Sequence, residues 1–459
     1  MGPRLQLCQG CQLSGQVTGG LPESDYSARK RARWLTEQHH VSKLASARGG
    51  ADLATTADSR VRAGAPLIGP GFVVAIAYVD PGNVATSTAA GVRYGYALLW
   101  VVIGTTVLAG MIQYLAAKLG LVTGQSLPEA VRDRLGTPAR LAYWAQAELV
   151  LVATGLAEVL GGAIALNLLF DVPLLLGGII TATVSTGLLV MRDQAGQRKF
   201  EHVVVALLAI VGIGFLAGLV AAPPSDADIL SGVTPRYIGP DSLWLMVGML
   251  GATVMPHAVY LHSALAKDRG ARASTEGLTR ALRTTRADVA TAMSLAGLVN
   301  LAVLMLAAGA LPAMSDVDCL AEAHAAVGEH LGPVFALLFA VGLLASGLAS
   351  TAVSTHAGAV VMSGLLHKQV PLAARRLFTL VPAIALLTIA DDPTRTLVGT
   401  QVVLSFGLPF ALIPLVILTS RRTLMGSRTN HPAVTAVVWV VTAAVIVLDA
   451  GLVWLTVTN

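Results

Sequence analysis

Residues 69–92 read GPGFVVAIAYVDPGNVATSTAAGV, and residues 245–265 read LMVGMLGATVMPHAVYLHSAL. Each stretch is long and apolar enough to cross a bilayer. Each is also interrupted halfway by a helix-breaking motif, DPGN at 80–83 and MPH at 255–257. A broken helix persists at membrane depth only where it lines a cavity enclosed by protein, because lipid cannot bond the freed backbone groups. The two stretches therefore predict a polar site inside a bundle of membrane helices.

The composition is that of a membrane protein. Of the 459 residues 54% are hydrophobic and 12% are charged, with a mean hydropathy of +0.70, whereas a soluble domain has about 25% charged residues. We predict an all-α polytopic protein and exclude a soluble globular one. Eleven transmembrane helices are predicted near residues 67–89, 93–117, 141–168, 172–191, 201–221, 242–264, 288–312, 332–365, 377–390, 396–419 and 433–456. The ninth is short as drawn, and its start is expected nearer residue 372.

The basic residues predict the orientation. Nine Lys and Arg precede the first span, nineteen lie in or beside the loops after even-numbered spans, and three (Arg93, Arg236 and Arg395) lie in loops after odd-numbered spans. Cytoplasmic loops carry the excess of Lys and Arg. We therefore expect a multi-pass protein of the cell membrane with a cytoplasmic N-terminus and an external C-terminus.

The net charge and the cysteine content do not indicate a nucleic-acid, protein or cofactor partner. The net charge of +5 is explained by the cytoplasmic loops, so neither nucleic acid nor an obligate protein partner is expected, and the bilayer is the surrounding medium. Residues 1–64 are predicted to form a disordered cytoplasmic tail. Its single CxxC, Cys8 and Cys11, is weak evidence for a metal or redox site. No cofactor is expected.

Interrupted spans in corresponding positions, here spans 1 and 6, are typical of transporters built from inverted repeats. We predict one transmembrane domain over 65–459. It contains a first repeat at about 65–221, a second at about 241–420 and an extra helix at 433–456. Since each repeat has five spans, the second is inverted, and the two breaks are expected to face each other near the midplane.

The breaks favour a cation. In both spans the first half-helix ends at the break, so two helix C-termini with unpaired carbonyls and partial negative charge are expected there. Pro81, Gly82 and Pro256 make the breaks. A carboxylate at this depth, Asp80, is costly and indicates function. One further candidate donor lies in each motif.

Asn83 is a candidate ligand, a cap of the second half-helix, or both. Met255 in isolation is typical of core packing, but it precedes the break opposite Asp80. A thioether contributes affinity for manganese, iron and softer ions and little for magnesium or calcium. The pattern thus predicts a transition-metal site.

Further ionisable residues lie in the predicted spans. Glu148 and Glu158 lie about 80° apart on span 3, so both can face the bundle interior and form part of a proton pathway, or be hydrogen-bonded structural carboxyls. His257 has three open roles, namely proton relay, structural residue and metal ligand. Arg375 and Arg376 enter span 9 and either pair with those acids or act as interfacial anchors, and we expect anchoring for at least one.

At these residues the chain resembles the Nramp family of proton-coupled divalent metal transporters. The resemblance covers about residues 65–420 and rests on DPGN, on GATVMPH followed by YLHSAL, and on matches such as FAVGLLASG and QVVLSFGLPFALIPL. It implies a LeuT-type fold, alternating access, and coupling to protons. The metal ligands that it implies are Asp80, Asn83 and Met255 by side chain, Ala77 and Ala252 by carbonyl, and Gln401 in an occluded state. The proton route that it implies comprises Asp80, His257, Glu148, Glu158, Arg375 and Arg376.

The chain departs from the family pattern at three positions. Gly155 stands where an acid is expected in the ATxLAE segment of span 3, Ala359 where a glutamine is expected in span 8, and Gly407 where a glutamine is expected in span 10. The predicted metal site is complete while part of the polar network beside it is missing. Our hypothesis is a transporter whose coupling to protons is loose or takes a changed route.

The favoured interpretation is a secondary transporter, not an enzyme, that imports Mn²⁺ and also Fe²⁺ together with a proton. A magnesium or amino-acid carrier of the same fold is an alternative, against which Met255 and Asp80 respectively argue. A metal-sensing membrane module is an alternative of another class. An intramembrane enzyme using Asp80 and His257 lacks a supporting nucleophile and base.

Overall fold

The structure, a computed structural model, describes residues 69–458 with gaps at 196, 222, 237, 271–274, 311–318, 369 and 389–391. The predicted tail at 1–64, with Cys8 and Cys11, lies outside the described residues. In chain order the α-helices are α1 Pro70–Ala75, α2 Pro81–Tyr94, α3 Leu99–Thr123, α4 Leu127–Arg132, α5 Thr137–Phe170, α6 Leu174–Ala195, α7 Gln197–Ala221, α8 Asp226–Val233, α9 Pro240–Thr253, α10 Pro256–Gly270, α11 Thr275–Ala310, α12 Cys319–Leu331, α13 Pro333–Leu366, α14 Leu372–Leu387, α15 Pro393–Ser420, α16 Arg422–Met425 and α17 Pro432–Thr458.

The first break lies at the predicted residues. After α1 the chain tightens into a 3₁₀ turn at Ile76–Val79 and then becomes extended at Asp80, with φ −78° and ψ 167°. Pro81 begins α2, where its missing N–H belongs to a helix terminus that has no internal acceptor for it. The Asp80 side chain caps the new helix by accepting the backbone N–H of Asn83.

The second break has the same cause. Helix α9 ends at Thr253, Val254 leaves the helical region with φ −107° and ψ 77°, and Pro256 begins α10. Residues 254 and 255 form the short non-helical link between the two halves. Both interruptions therefore result from a proline that starts a new helix in mid-segment.

Seven helical segments in the described part of the chain are long and apolar enough to cross a membrane, which confirms a helical, multi-pass membrane protein. They are Pro81–Thr123, Thr137–Phe170, Asp241–Lys267, Glu276–Gly309, Pro333–Leu366, Pro393–Ser420 and Pro432–Thr458. Shorter apolar helical stretches occur at Pro70–Val79, Leu174–Leu188 and Ala209–Ala221. The count of eleven spans remains a prediction. The ninth predicted span coincides with α14, which begins at Leu372 as expected.

Helix packing places the first break in the interior of the helix bundle. Helix α5 packs against α13, α14 and α15, α9 packs against α15, and α2 packs against α11. The close approaches depend on small residues, since a Cβ on Gly347 of α13 would lie 3.1 Å from the carbonyl oxygen of Glu158 and 3.4 Å from Cγ of Pro81. The first break is thereby enclosed by α5 and α13.

Candidate metal site at the two helix breaks

Asp80 is the centre of the polar group at the first break. It is 1% exposed. Its Oδ1 accepts hydrogen bonds from the backbone N–H of Asn83 at 2.8 Å and from Nδ2 of Asn83 at 3.1 Å. Its Oδ2 is buried and has no hydrogen-bond partner. A buried polar atom without a partner is costly, so this oxygen has free capacity for a proton or a cation.

Asn83 joins the two breaks. Its Nδ2 donates to the carbonyl oxygen of Ala252 at 2.7 Å, and its Oδ1 accepts the hydroxyl of Thr253 at 3.2 Å. The carboxylate of Asp80, which caps α2, and the Ala252 carbonyl of α9 thus converge on one amide NH₂ group. The structure therefore brings together the predicted residues Asp80, Asn83 and Ala252 from opposite parts of the sequence.

Gln401 of α15 lies at the same place. It is fully buried, its Nε2 donates to Oγ1 of Thr400 at 3.0 Å, and its Oε1 has no hydrogen-bond partner. Any Cβ on Gly82 would overlap the Gln401 amide, so Gly82 is the residue that lets this side chain reach the break. A second buried oxygen without a partner thus faces the first break.

In the described part of the chain, the two remaining predicted ligands, Ala77 and Met255, are buried but have no hydrogen bond to the other residues of the site. Both are buried, Ala77 in the 3₁₀ turn and Met255 in the link between α9 and α10. No hydrogen bond joins either of them to Asp80 or Asn83 among the described residues, so their place in the donor set depends on the sequence. The described part also contains no cluster of three or more His, Cys, Asp or Glu. A cation held here would need amide, carbonyl and thioether donors beside one carboxylate.

Two backbone carbonyls freed at the first break accept hydrogen bonds, contrary to the expectation. We predicted unpaired carbonyls, but the Tyr78 carbonyl accepts Nδ2 of Asn300 at 2.9 Å and the Val79 carbonyl accepts Oγ of Ser346 at 2.5 Å. Asn300 belongs to α11 and Ser346 to α13, and sequence reasoning missed both. A lone asparagine within the apolar run LVNLAVL was the available signal for Asn300.

Two buried ion pairs lie beside the break. Arg375 Nη1 lies 2.5 Å from Glu148 Oε1, and Arg376 Nη1 lies 3.1 Å from Glu158 Oε2. All four side chains are less than 10% exposed. The interpretation of at least one arginine as an interfacial anchor is therefore wrong. Both side chains point into the protein because α14 packs against α5, which presents the two acids.

The Nramp family model, described as natural resistance-associated macrophage protein-like, matches residues 71–455. This chain belongs to the Nramp family. The divalent metal cation transporter MntH of Mycobacterium tuberculosis (strain H37Rv) is 55% identical over 394 residues, which is 86% of this chain and 92% of that protein. The protein of the same name from Mycobacterium bovis is 52% identical over 96% of this chain, and the match spans 65% of its length. The family is one of transporters and not of enzymes.

Solved structures agree with this membership. The Eremococcus coleocola manganese transporter is 32% identical, with a TM-score of 0.73 and a match covering 84% of each chain. Mhp1, a nucleobase-cation-symport-1 family transporter, has a TM-score of 0.55 at 19% identity, covering 84% of this chain and 90% of its own. The second likeness concerns the fold alone.

The two histidines of α10, His257 and His262, have separate environments. His257 is buried, and its Nδ1 lies 3.4 Å from Oγ1 of Thr154 on α5, which decides none of its three roles. His262, which sequence reasoning missed, is also buried, and its Nδ1 lies 2.8 Å from Oε1 of Gln113. Because an amide oxygen only accepts, His262 carries its proton on Nδ1. Gln113 in turn donates to the Tyr78 hydroxyl at 2.5 Å.

The departures from the Nramp pattern have structural consequences. A Cβ on Gly155 would lie 2.9 Å from Cβ of Thr379 and 3.7 Å from Nη1 of Arg376, so an acid there would lie beside the Arg376–Glu158 pair. Gly407 is closely packed by α5 and by the second break, and a Cβ on it would lie 3.0 Å from Nε2 of Gln146. Ala359 is half-buried in α13.

Asp449 of α17 is a further acid that sequence reasoning missed. It is 5% exposed, and its Oδ1 accepts the hydroxyl of Ser405 on α15 at 2.7 Å. A single Asp within the apolar run AVIVLDAGLVWL was the available signal.

Proposed function

We propose that this Nramp protein is a secondary active transporter that imports divalent transition-metal ions, Mn²⁺ first, by alternating access. The observation that carries the proposal is the Asn83 amide, which bridges the Asp80 carboxylate and the Ala252 carbonyl. Two oxygens from the two broken helices converge there on one positively polarised group. A half-turn of the amide would place its own oxygen beside the other two, which would give a cation three oxygen donors.

The donor chemistry supports a transition metal. Asp80 supplies a carboxylate with one oxygen free of hydrogen bonds, and Gln401 an amide oxygen free of them. Met255 adds the soft ligand, which favours Mn²⁺ and Fe²⁺ over Ca²⁺ and Mg²⁺. The curated relatives are named as divalent metal cation transporters and a structural relative as a manganese transporter, which agrees with this choice.

We propose import into the cytoplasm, because an inside-negative membrane potential drives cations inward. With the N-terminus inside, eleven spans and a five-plus-five inverted repeat, the two breaks form the site on which access alternates. An inside-negative membrane favours entry of each positive charge by about 2.3 kcal/mol per 100 mV. The proposed location is the cell membrane.

The positions at which this chain departs from the Nramp pattern affect the proposed coupling to protons. The buried pairs Glu148–Arg375 and Glu158–Arg376, together with His257, form the proposed route. In this chain Gly155 supplies no carboxylate beside Arg376. A second candidate is therefore a carrier of the same metals in which proton flux is loosely coupled to metal flux.

The test is transport in vesicles. Purified protein is reconstituted into liposomes that contain a metal-sensitive and a pH-sensitive dye, and Mn²⁺ uptake is recorded for the wild type, Asp80→Asn and Asp171→Asn. We expect Mn²⁺ uptake by the wild type and its loss in Asp80→Asn. Asp171 is the matched control, because it is exposed, has a φ of 54° that Asn also adopts, and loses the same charge.

Two outcomes would reject the proposal. The first is a wild type that takes up no Mn²⁺ under an inside-negative potential, and the second is an Asp80→Asn variant that transports as fast as Asp171→Asn. The pH dye separates the two coupling candidates, since a fixed ratio of protons to Mn²⁺ at all potentials supports tight coupling and a varying ratio supports the loose form.

A further inference from the structure

A carboxylate in the last helix has no part in the function proposed above. Asp449 lies in α17, is nearly fully buried, and accepts the hydroxyl of Ser405 at 2.7 Å. It forms no ion pair with the described residues, whereas Glu148 and Glu158 are each paired with an arginine. An acid held inside a membrane helix is costly and therefore indicates a role.

The helical hydrogen bonding of α15 is interrupted at Ser405. Pro409 follows it by four residues inside the helix, and proline has no N–H to donate to the carbonyl four residues before it. The backbone carbonyl of Ser405 therefore lacks its usual helical partner. The bond from the Ser405 side chain to Asp449 fixes α15 to α17 at the position where its own ladder is interrupted.

At this level α15 also packs against α9, the first half of the second broken helix. A Cβ on Gly251 of α9 would lie 2.7 Å from the backbone nitrogen of Ser405 and closer still to the carbonyl of Gln401. The backbone of α15 between Gln401 and Ser405 is thus packed directly against the residue that precedes Ala252. One turn from Ser405, the Gln401 amide rests on Gly82 of the first break.

We propose that Asp449 is a positioning residue, which acts through Ser405 to hold the first part of α15 in the register that presents Gln401 to the metal site. The inference rests on the proposed transport of Mn²⁺. It assigns the extra helix α17 a role in metal affinity that is exerted through α15.

The test measures the concentration dependence of Mn²⁺ uptake in liposomes for Asp449→Ala, Asp449→Asn, Ser405→Ala and the double variant Asp449→Ala/Ser405→Ala. We expect KM to rise about fivefold in both alanine variants, as for the loss of one buried hydrogen bond, with a maximal rate close to that of the wild type. Asp449→Asn keeps an Oδ1 acceptor for Ser405 and is expected to restore KM. The double variant is expected to match the single ones, because both remove the same bond.

Thr442→Val is the matched control. Thr442 is 1% exposed on the same helix, but its hydroxyl donates only to the carbonyl of Val438 within α17. The Thr442→Val substitution is expected to leave the KM for Mn²⁺ unchanged. A second readout, the rise in thermal stability that Mn²⁺ causes in detergent, is expected to shrink in Asp449→Ala and Ser405→Ala and to persist in Thr442→Val.

The inference is overturned if Asp449→Ala and Ser405→Ala keep the wild-type KM, if Thr442→Val raises KM equally, or if the effects of the two alanine substitutions add. An Asp449→Asn variant as impaired as Asp449→Ala also overturns it, since charge and not the hydrogen bond would then matter. These outcomes are separate from failure of the proposed function, which would appear as an inactive wild type or an active Asp80→Asn variant.

Discussion

The hydroxyl of Tyr143 donates a hydrogen bond of 2.7 Å to the carbonyl of Phe410, the residue four positions before Pro414 in α15. Pro414 has no N–H to give that carbonyl, so α5 supplies the missing donor. The Tyr260 hydroxyl lies 3.0 Å from that of Tyr143 and must be the donor of that pair. A proline-interrupted helix is thus stabilised from its neighbour.

Tyr143→Phe is expected to lower the free energy of unfolding by about 1–2 kcal/mol, because the Phe410 carbonyl loses its donor. Thermal unfolding in detergent measures the change. Tyr260→Phe is the control, since it leaves the Tyr143–Phe410 bond in place and is expected to cost less. Equal midpoints for Tyr143→Phe and the wild type would contradict the assignment.

Arg376→Gln is expected to be among the most destabilising single changes in α14. It leaves Glu158 as an uncompensated buried charge, which typically costs about 3–5 kcal/mol, and removes the bond from Arg376 to Oγ of Ser185 at 3.0 Å. The double variant Arg376→Gln/Glu158→Gln is expected to regain much of the loss. Asp133→Asn, in a surface pair with Arg132, is the control and is expected to cost less than about 1 kcal/mol. A double variant no more stable than Arg376→Gln would count against a paired charge.

The breaks could be predicted from sequence because their cause is local. A proline or glycine acts on its own helix, so the motifs at 80–83 and 255–257 were sufficient to place both interruptions. The partners of the freed backbone could not be predicted, since Asn300 and Ser346 come from helices more than two hundred residues away. The anchor interpretation of the span 9 arginines failed for the same reason. Snorkelling is inferred from position along one helix, whereas pairing depends on which helix packs opposite.

Met255→Ala is expected to retain Mn²⁺ uptake and to admit Ca²⁺ or Mg²⁺, because the variant lacks the thioether that we propose as the soft ligand favouring transition metals. Competition of Ca²⁺ with Mn²⁺ in the liposome assay measures the change. Met249→Ala on α9 is the control, as Met249 is also a buried methionine, 2% exposed, of the same broken span. Continued exclusion of Ca²⁺ by Met255→Ala would refute the soft-ligand argument.

Glu129 of α4 predicts a dependence of stability on pH. Partial burial raises the pKa of this carboxyl, but hydrogen bonds from Lys267 and Ser126 lower it more, so its pKa lies below the ordinary value of 4.5. A carboxyl with a lowered folded pKa contributes stability above its unfolded pKa and loses it as the pH falls through the folded pKa. Glu129→Gln is therefore expected to be less stable than the wild type at pH 7.

The difference between the wild type and Glu129→Gln is expected to shrink as the pH falls below about 4.5. Thermal unfolding at a series of pH values measures it. Lys267 Nζ lies 2.7 Å from Glu129 Oε1, so Lys267→Met is expected to reduce the same pH dependence. A difference that stays constant from pH 7 to pH 3.5 would contradict this account.

Gly155→Asp tests the missing acid of α5. Its Cβ would lie 2.9 Å from Cβ of Thr379 and 3.7 Å from Nη1 of Arg376. Thr379 is therefore replaced by glycine as well, which makes room for the new carboxylate beside the arginine. We expect Gly155→Asp/Thr379→Gly to move more protons per Mn²⁺ than Gly155→Ala/Thr379→Gly, which has the same added Cβ and no carboxylate. The two dyes of the liposome assay give this ratio. The added Cβ at position 155 and the cost of a glycine within α14 are common to both variants. Equal ratios of protons to Mn²⁺ in the two variants would therefore show that an acid at position 155 does not set the coupling of protons to metal.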